Sequence, residues 1–576
     1  MMTEDRWEHR WGFKDSSFVL NSDRTVSMTG KRYPICGFKM PYFLPFVEEM
    51  LGVRLEPADR RPEAARQVPP PVSNDAFLRE LESALPGQSS VDERERLVHS
   101  HGQTTADEVS RVLYTRLERV ADLVVHPHST EDCVKLVELA SRYDVCLVPY
   151  GGGTSVSCAL KLPAEERRMI VSVDMRRMNR VEWIERNNRR ASVQAGITGS
   201  QLEKALEAEG LTSGHEPDSI ELSTLGGWIA TNASGMKKNR YGNIEDLVES
   251  FTLVTPRGVV EQECSVPRMS PGMQLHKALF GCEGNLGLIT RAVIRVHPLP
   301  EVKRYGSVVF PDFETGLDFL YDLSQNRTLP ASVRLVDNVQ FRFGQSLKPR
   351  PRGLTALIEA LQRFVVLKVK KFDPHRMCAA TFVYEGTAEE VAFQERLVAR
   401  LAGRYGGLMG GSANGKRGYM LTFAIAYIRD FLADFHVVGE TYETTVPWNR
   451  VRAVCEAVAK KGTELHREMG LPGQPYISPR ITQVYHTGVC IYFTHGVYLK
   501  GVADPEGTFA AIEKQLRQAI LDAGGSISHH HGVGKLRQEF LDRTFSPATV
   551  AALREVKQTL DPDNVFGIRN SVAAAR

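Results

Sequence analysis

From Arg119 onward, short apolar runs alternate with segments whose apolar residues recur at helical spacing. Leu123-Val124-Val125-His126-Pro127 reads as the end of a strand, and Ser129 to Tyr143 as a helix. Ser129 or Thr130 would cap that helix, with Glu131 and Asp132 in its first turn. Val145-Cys146-Leu147-Val148 and Met169-Ile170-Val171-Ser172-Val173 read as buried strands. Ala191 to Gly196 follows, then a helix from Gln201 to Glu209 behind Thr198 or Ser200. Phe251 to Thr255 is a strand entering the Pro256-Arg257-Gly258 turn, and Leu288 to Val296 closes the region. Residues 116–299 are expected to form one α+β domain, distinct from a doubly wound nucleotide fold.

The flanks read differently. Residues 1–115 predict a mostly helical opening region in which Trp7, Trp11 and Phe13 anchor onto a later domain. Tyr42 to Leu51 is unusually apolar; a core helix is the first expectation and a membrane-touching helix the second. Arg60 to Ser73, with four prolines, is a linker by composition, and Leu78 to Leu85 is helical. Residues 300–524 predict a second α+β domain, a cap over the first. Its strands include Tyr305–Phe310, Ala380–Tyr384 and Cys490–Phe493, and its helices Phe313–Ser324 and Val451–Lys461. Leu357 to Phe372 mixes Arg363, Lys368, Lys370 and Lys371 with apolar residues. Such a stretch suits a membrane surface or an ordinary amphipathic helix, and the ordinary helix is the first expectation. Residues 525–576 form a C-terminal segment.

Composition narrows the function classes. With 576 residues, two or more domains are expected, and a net charge of +3 gives no footing for nucleic acid. The nine cysteines show no paired spacing, which suits reduced, buried thiols in an intracellular protein. Charged residues interrupt the opening stretch, so no secretory signal is expected there, and no run reaches the ~18 apolar residues of a spanning helix.

Candidate chemistry begins at Pro149-Tyr150-Gly151-Gly152-Gly153-Thr154-Ser155. Three glycines after a strand allow successive N–H groups to turn inward around an anion, and the two hydroxyls add donors. The alternative is a plain glycine turn; neither the dinucleotide G-x-G-x-x-G nor a Walker loop is present. Three further stretches rich in small residues follow: Asp218-Ser219-Ile220-Glu221-Leu222-Ser223-Thr224, Thr231-Asn232-Ala233-Ser234, and Glu283-Gly284-Asn285-Leu286-Gly287-Leu288-Ile289. Their order and content resemble the FAD-binding domain of vanillyl-alcohol-oxidase-type flavoproteins. That resemblance implies a two-subdomain FAD domain, these four stretches as cofactor contacts, and the C-terminal segment returning to the flavin. The glycine loop has no histidine where related oxidases tether the ring, so the FAD is expected to be non-covalent.

His529-His530-His531 is the second unusual feature. A zinc site is possible, but neighbouring side chains of an extended segment point apart and no carboxylate–cysteine partner cluster is visible. An active-site wall that moves protons or holds a phosphate is the favoured reading. Gly214-His215-Glu216-Pro217, Tyr241-Gly242-Asn243, Ala426-Tyr427-Ile428-Arg429-Asp430 and Ser528 to Lys535 resemble the alkylglycerone-phosphate synthase family over nearly the whole chain. The resemblance implies that acyl-dihydroxyacetone phosphate exchanges its acyl chain for a long-chain fatty alcohol through a flavin N5 adduct, without net redox. It places the proton donor–acceptor at Tyr492, the substrate-phosphate arginine at Arg429 and a further essential arginine at Arg334. Nearby cations are expected to lower the Tyr492 pKa. It also implies a homodimer that is peripheral to a membrane and located in peroxisomes, although Ala574-Ala575-Arg576 is not an S-K-L-type signal. Cys282, Asn232 and Thr494-His495-Gly496 depart from the pattern of the animal members.

Two other readings stay open. A flavin-dependent 2-hydroxy-acid dehydrogenase of the D-lactate type shares the glycine loop, but carries glutamate-histidine where this chain has His530-His531. A flavin-stabilised lipid-binding protein without turnover is the third.

Overall fold

The computed structural model describes residues 5–574 apart from Arg66, Gln67 and Ser265. Glu4 of the charged opening, Arg66 and Gln67 of the linker, and Ala575 and Arg576 of the C-terminal tripeptide lie outside the described residues.

The opening region carries three short antiparallel strands, Phe18–Leu20, Val26–Met28 and Lys39–Met40, before helix α1 (Phe43–Leu51). Phe43, Leu44, Val47 and Leu51 are buried, so α1 is a core helix as the apolar run suggests. It ends at Gly52, whose left-handed φ of 63° lets its N–H turn back to the Glu48 and Glu49 carbonyls. Its core partners include Tyr427, Ile428 and Phe431, more than 370 residues later in the chain.

The flavin domain is built from two sheets. In the first, β1 (Leu123–Val125), β2 (Cys146–Tyr150) and β3 (Ile170–Asp174) run parallel in the order β1-β3-β2. Helix α2 (Thr130–Arg142) makes the crossover from β1 to β2, and the Ser129 side chain caps it by accepting from the Asp132 N–H. The second sheet is antiparallel: β4 (Val181–Glu185), β5 (Arg190–Gln194), β6 (Val248–Thr255), β7 (Gly258–Val260) and β8 (Leu288–Arg295), ordered β7-β6-β8-β5-β4. Helices α3 (Gly199–Glu207) and α4 (Leu225–Thr231) pack on it, and Thr198 with Gln201 forms a capping box at α3.

The cap is one seven-stranded antiparallel sheet. Its elements in chain order are β9 (Val302–Phe310), α5 (Phe313–Ser324), β10 (Ser332–Val336), α6 (Gly353–Phe364), β11 (Cys378–Gly386), α7 (Ala388–Arg404), β12 (Leu408–Met409), α8 (Ile425–Ala433), β13 (Val437–Pro447), α9 (Val451–Glu468), β14 (Tyr476–Val484), β15 (Gly488–Tyr498) and α10 (Pro505–Asp522). The strand order is β12-β9-β11-β10-β14-β15-β13. Side chains alternate across a strand, so one face collects Val308, Phe310, Val333, Leu335, Phe382, Ile481, Ile491 and Phe493 against α5, α7, α9 and α10. The other face is left to the cavity below. The chain then threads back to the flavin domain, where Asn570 donates to the Ala159 and Glu283 carbonyls and its side-chain oxygen accepts from Lys535 Nζ at 2.8 Å.

Candidate active site

Strand β2 delivers Pro149 to Ser155 to the wall of a cavity of ≈ 1620 Å³ between the flavin domain and the cap. A Cβ on Gly152 would lie 2.1 Å from the Leu222 carbonyl oxygen, and Gly153 takes a φ of +73°. Both positions therefore require glycine. Arg6 reaches in from the N-terminus and donates to the Gly152 carbonyl at 2.9 Å and to Gln103 Oε1 at 3.0 Å. Of the other expected cofactor contacts, Asp218, Ser219, Ser223, Thr224, Thr231, Ala233, Ser234, Glu283, Gly284, Gly287 and Ile289 line the same cavity.

The rest do something else. Glu221 accepts from the Tyr33 hydroxyl at 2.8 Å, Leu222 joins the N-terminal core, and the Ile220 carbonyl accepts the Ser200 N–H. Asn232 ends α4 in a left-handed conformation with φ 51°, which asparagine tolerates better than most residues. Asn285 ties the Cys282 and Asn570 carbonyls together, while Leu286 and Leu288 are core residues. These seven residues shape the cradle from behind; the periodicity of a small-residue loop does not reveal which side chains turn inward.

An extended nucleotide fits this cradle. The glycine nest leaves room where any side chain would collide, and His215 lies buried beside Trp228, ring centroids 4.7 Å apart, with neither ring nitrogen partnered. Burial drives the His215 pKa down to about 3, so it is an uncharged group behind the cradle. The residues present match the needs of FAD.

The histidine run lies on the cap side of the cavity. Tyr492 Oη, on β15, is 2.5 Å from His530 Nε2 and 2.9 Å from His531 Nε2. His529 turns to Tyr485, 2.6 Å from its hydroxyl, and its Nδ1 is 2.7 Å from His530 Nδ1. The expected divergence of neighbouring side chains is wrong here because the segment is not extended. Glu443 on β13 gathers the backbone N–H groups of His529, His530 and His531, and also accepts from Ser528 Oγ at 2.7 Å. Curled around one carboxylate, two successive imidazoles reach the same phenol. The sheet also brings Cys490 within metal-ligand reach of His529 and His530, a partner that sequence spacing did not reveal.

Electrostatics correct a second expectation. Burial, then the charges of Asp218, Cys490 and Glu443, push the Tyr492 pKa well above that of a free phenol, and the opposing effect of Arg480 is smaller. Tyr492 is therefore a neutral hydroxyl, and no cation converts it to phenolate. Burial also lowers the pKa of His530, takes His531 well below the usual imidazole range and His529 to about 3. The three rings are neutral near pH 7, each with one acceptor nitrogen.

The two arginines singled out by resemblance differ in freedom. Arg334 on β10 lines the cavity, donating to Thr422 Oγ1 at 2.5 Å and to Asp218 Oδ1 at 3.3 Å. Arg429 on α8 borders the cavity too, but donates to the Thr104 and Gln103 carbonyls and doubly to Asp430. A third arginine, Arg480 on β14, was not anticipated; it lies over the Tyr492 ring at 4.9 Å. Sequence gave no sign of Arg480 or Glu443. His215 stood inside a motif already noted, but nothing local marked it as unpartnered.

Away from the flavin, the cavity wall is apolar, with Phe46 and Met50 of α1, Phe343, Ile428 and Leu432. Helix α6 contributes Ala356, Ala360 and Phe364 to the lining and continues as a π-type turn, Val365–Val369. Leu357 is 67% exposed, Leu361 63% and Phe364 57%, beside the basic residues Arg363 and Lys368. An ordinary amphipathic helix would turn that stripe to a core; α6 turns it outward. Among the described residues no helix is long and apolar enough to cross a membrane.

Comparison with known proteins agrees with this geometry. Residues 121–262 match the family described as FAD binding domain, and residues 299–568 match FAD linked oxidases, C-terminal domain. The alkyldihydroxyacetonephosphate synthase of Caenorhabditis elegans is 41% identical over 98% of this chain and 94% of its own. A crystal structure of alkyldihydroxyacetonephosphate synthase superposes with a TM-score of 0.85 at 29% identity, covering 98% of both chains. The mitochondrial D-lactate dehydrogenase [cytochrome] of Arabidopsis thaliana is 23% identical over 85% of this chain and 79% of its own, which makes the alternative reading a distant one. The chain belongs to the alkyldihydroxyacetonephosphate synthase family of FAD-linked flavoproteins.

Proposed function

We propose that the chain builds the ether bond of an alkyl lipid, replacing the acyl chain of acyl-dihydroxyacetone phosphate by a long-chain fatty alcohol without net redox. The observation that carries this reading is one phenol shared by two neutral imidazoles, Tyr492 with His530 and His531, in an apolar cavity continuous with the FAD cradle. Bound FAD would supply the electrophile for the deprotonated substrate carbon. Pro149 to Ser155 would hold its pyrophosphate non-covalently.

The protein's own steps follow from the hydrogen bonds. Tyr492 takes the proton from the substrate carbon while passing its own to His530 or His531 Nε2. No phenolate is needed, because the basic site is an imidazole and the phenol is a relay. Glu443 fixes the backbone of the relay by accepting its three N–H groups, and the carboxylate lies 3.6 Å from His531 Nδ1, beside the imidazolium that forms. Arg334 fixes Asp218 and Thr422 on the opposite wall. The apolar arm excludes water, which would otherwise compete with the alcohol. A 2-hydroxy acid would need no such arm.

Helix α6, with its outward apolar stripe and flanking lysines, supports peripheral membrane docking through which lipid substrates enter. A homodimer in peroxisomes is the corresponding cellular reading, drawn from the family. The deciding experiment is incubation of the holoenzyme with acyl-dihydroxyacetone phosphate and a labelled fatty alcohol. Label in an alkali-stable ether product supports the reading. Rapid bleaching of the flavin by D-lactate with electron-acceptor turnover, and no label transfer, would replace it with the dehydrogenase.

A further inference from the structure

The proton relay uses one edge of the histidine run, and the other edge faces a thiol. His529 Nδ1 and His530 Nδ1 meet across 2.7 Å, so one carries a hydrogen and the other receives it. Both Nε2 atoms are held by phenols, His529 by Tyr485 at 2.6 Å and His530 by Tyr492 at 2.5 Å. Cys490 is a free, buried thiol two residues before Tyr492 on β15, and therefore on the same face of the sheet. One sulfur and one nitrogen from each of the two rings lie within 4.8 Å of one another.

This donor set has the chemistry of a transition-metal site. Zinc and cobalt take thiolate at about 2.3 Å and imidazole at about 2.0–2.1 Å. Two such nitrogen bonds at a tetrahedral angle span ~3.3 Å, so the rings part by about 0.6 Å to admit the ion. The phenols supply the outer support that metal-bound histidines need, each accepting the Nε2–H of a ring that ligates through Nδ1. Lys238 faces Cys490 and His529 but is engaged by the Val484 carbonyl and the Tyr485 ring. A thiolate ligand and Glu443, which accepts from the N–H groups of both histidines, offset the charge of the ion. His530 lines the cavity and His529 is partly exposed, which gives the ion a way in.

We propose that Cys490, His529 and His530 form a binding site for a zinc-class divalent cation, and that its occupancy switches the proton relay off. With both Nδ1 atoms on the metal, the ring proton of His530 moves to Nε2 and the Cys490 proton leaves to water. His530 then has no lone pair left for the Tyr492 proton, and the adjacent positive charge disfavours protonation of His531 as well. The inhibitory effect rests on the proposed reaction; the binding site does not.

The test uses the FAD-loaded protein, dialysed free of excess metal, and reads binding apart from turnover. The wild type should retain a stoichiometric zinc ion and Cys490→Ser should lose it. Cys264→Ser, which alters the exposed thiol, should keep it. Cobalt should give thiolate charge-transfer absorption in the wild type and none in Cys490→Ser, while magnesium, a hard cation, should not be retained by either. Half-inhibition of ether synthesis should need about 100-fold more zinc in Cys490→Ser, the upper end of what losing even an outer partner costs a metal site. Each protein is measured against its own zinc-free rate, and a chelator should restore the wild type. Equal zinc retention in the wild type and Cys490→Ser overturns the site. Absence of cobalt–thiolate absorption in the wild type overturns it even if the variant fails to fold. Zinc held through Cys490 with ether synthesis at full rate overturns the switch. Retention and absorption need no substrate, so they decide the site whether or not an ether product forms.

Discussion

The two faces of the seven-stranded sheet are made by the same strands and obey opposite rules. On β10, Val333 and Leu335 are buried against helices, while Arg334 between them faces the cavity with a free Nε. On β14 and β15 the helix face holds Ile481, Ile491 and Phe493, and the cavity face Arg480, Thr482, Tyr492 and Thr494. One face is closed by apolar packing, and its few polar atoms are incidental. The other keeps polar atoms without partners, which is destabilising unless a ligand completes them. A period of two residues thus lets one sheet be core and reagent at once, and the two roles can be perturbed separately.

The largest expected effect is on the cavity face. Tyr492→Phe keeps the ring and its packing but removes the shared hydroxyl. Turnover should fall by about 10²–10⁴-fold, the usual worth of a general acid–base group, with FAD content and melting temperature little changed. If the variant still bleaches the flavin with substrate at the wild-type rate, the proton passes directly to His530 or His531 and Tyr492 leaves the relay.

The matched change on the helix face is Phe382→Ala. Phe382 is 1% exposed and packs edge-on against Phe319, ring centroids 6.1 Å apart. The cavity left behind should cost about 3–5 kcal/mol of stability, seen in denaturant unfolding, while KM values of the folded fraction stay near normal. An equal rise in substrate KM would mean the faces are mechanically coupled and the comparison is too simple.

Acid should act on the chemical side of the molecule. His215 and His529 have folded pKa values near 3, below the ordinary imidazole value because burial disfavours the cation. The unfolded chain therefore binds more protons than the folded one below about pH 6.5. Stability from these groups is complete above that pH and is lost as pH falls toward 3. Replacing His215 by Asn should flatten the acid limb by about 1.4 kcal/mol per pH unit. An unchanged slope would show that His215 is protonated in the fold and has a partner.

The same contrast explains how much could be read from sequence. The helix face was legible: β9, β11 and β15 were placed from their apolar runs, and α5 from its periodicity, because such patterns are local. The flavin loops were legible too, since glycine at 152 and 153 is forced by backbone approach and positive φ. The proton relay was half legible. Three histidines were visible, but their convergence depends on Glu443, 86 residues before His529, and nothing in the run reports that carboxylate. The arginines were the least legible. Arg429 and Arg480 both sit among apolar neighbours in sequence, and what separates them is whether the Thr104 and Gln103 carbonyls lie in reach. Helix α6 misled for the related reason that an amphipathic pattern says which residues share a stripe, not whether a core or a membrane meets it.

The smallest expected effect is the sharpest test of the idea that the cavity face holds instability in reserve. Thr482 is 6% exposed, and its hydroxyl has no oxygen or nitrogen partner. Valine has nearly the same shape and buries a methyl group instead. On a helix-facing position a change of this kind removes a satisfied group and costs stability; here it removes an unsatisfied one. Thr482→Val should therefore raise the unfolding free energy of the unliganded holoenzyme by about 1 kcal/mol, within the cost of a buried unpaired hydroxyl. The same variant should keep its FAD content, because Thr482 lies on the cap sheet and not in the glycine nest. Gain of stability with FAD content retained would show that the cavity face carries its unpaired hydroxyl at a cost to the fold. A loss of stability would show that the Cys490 thiol already satisfies Thr482, and the reserve would then lie in the two arginines alone.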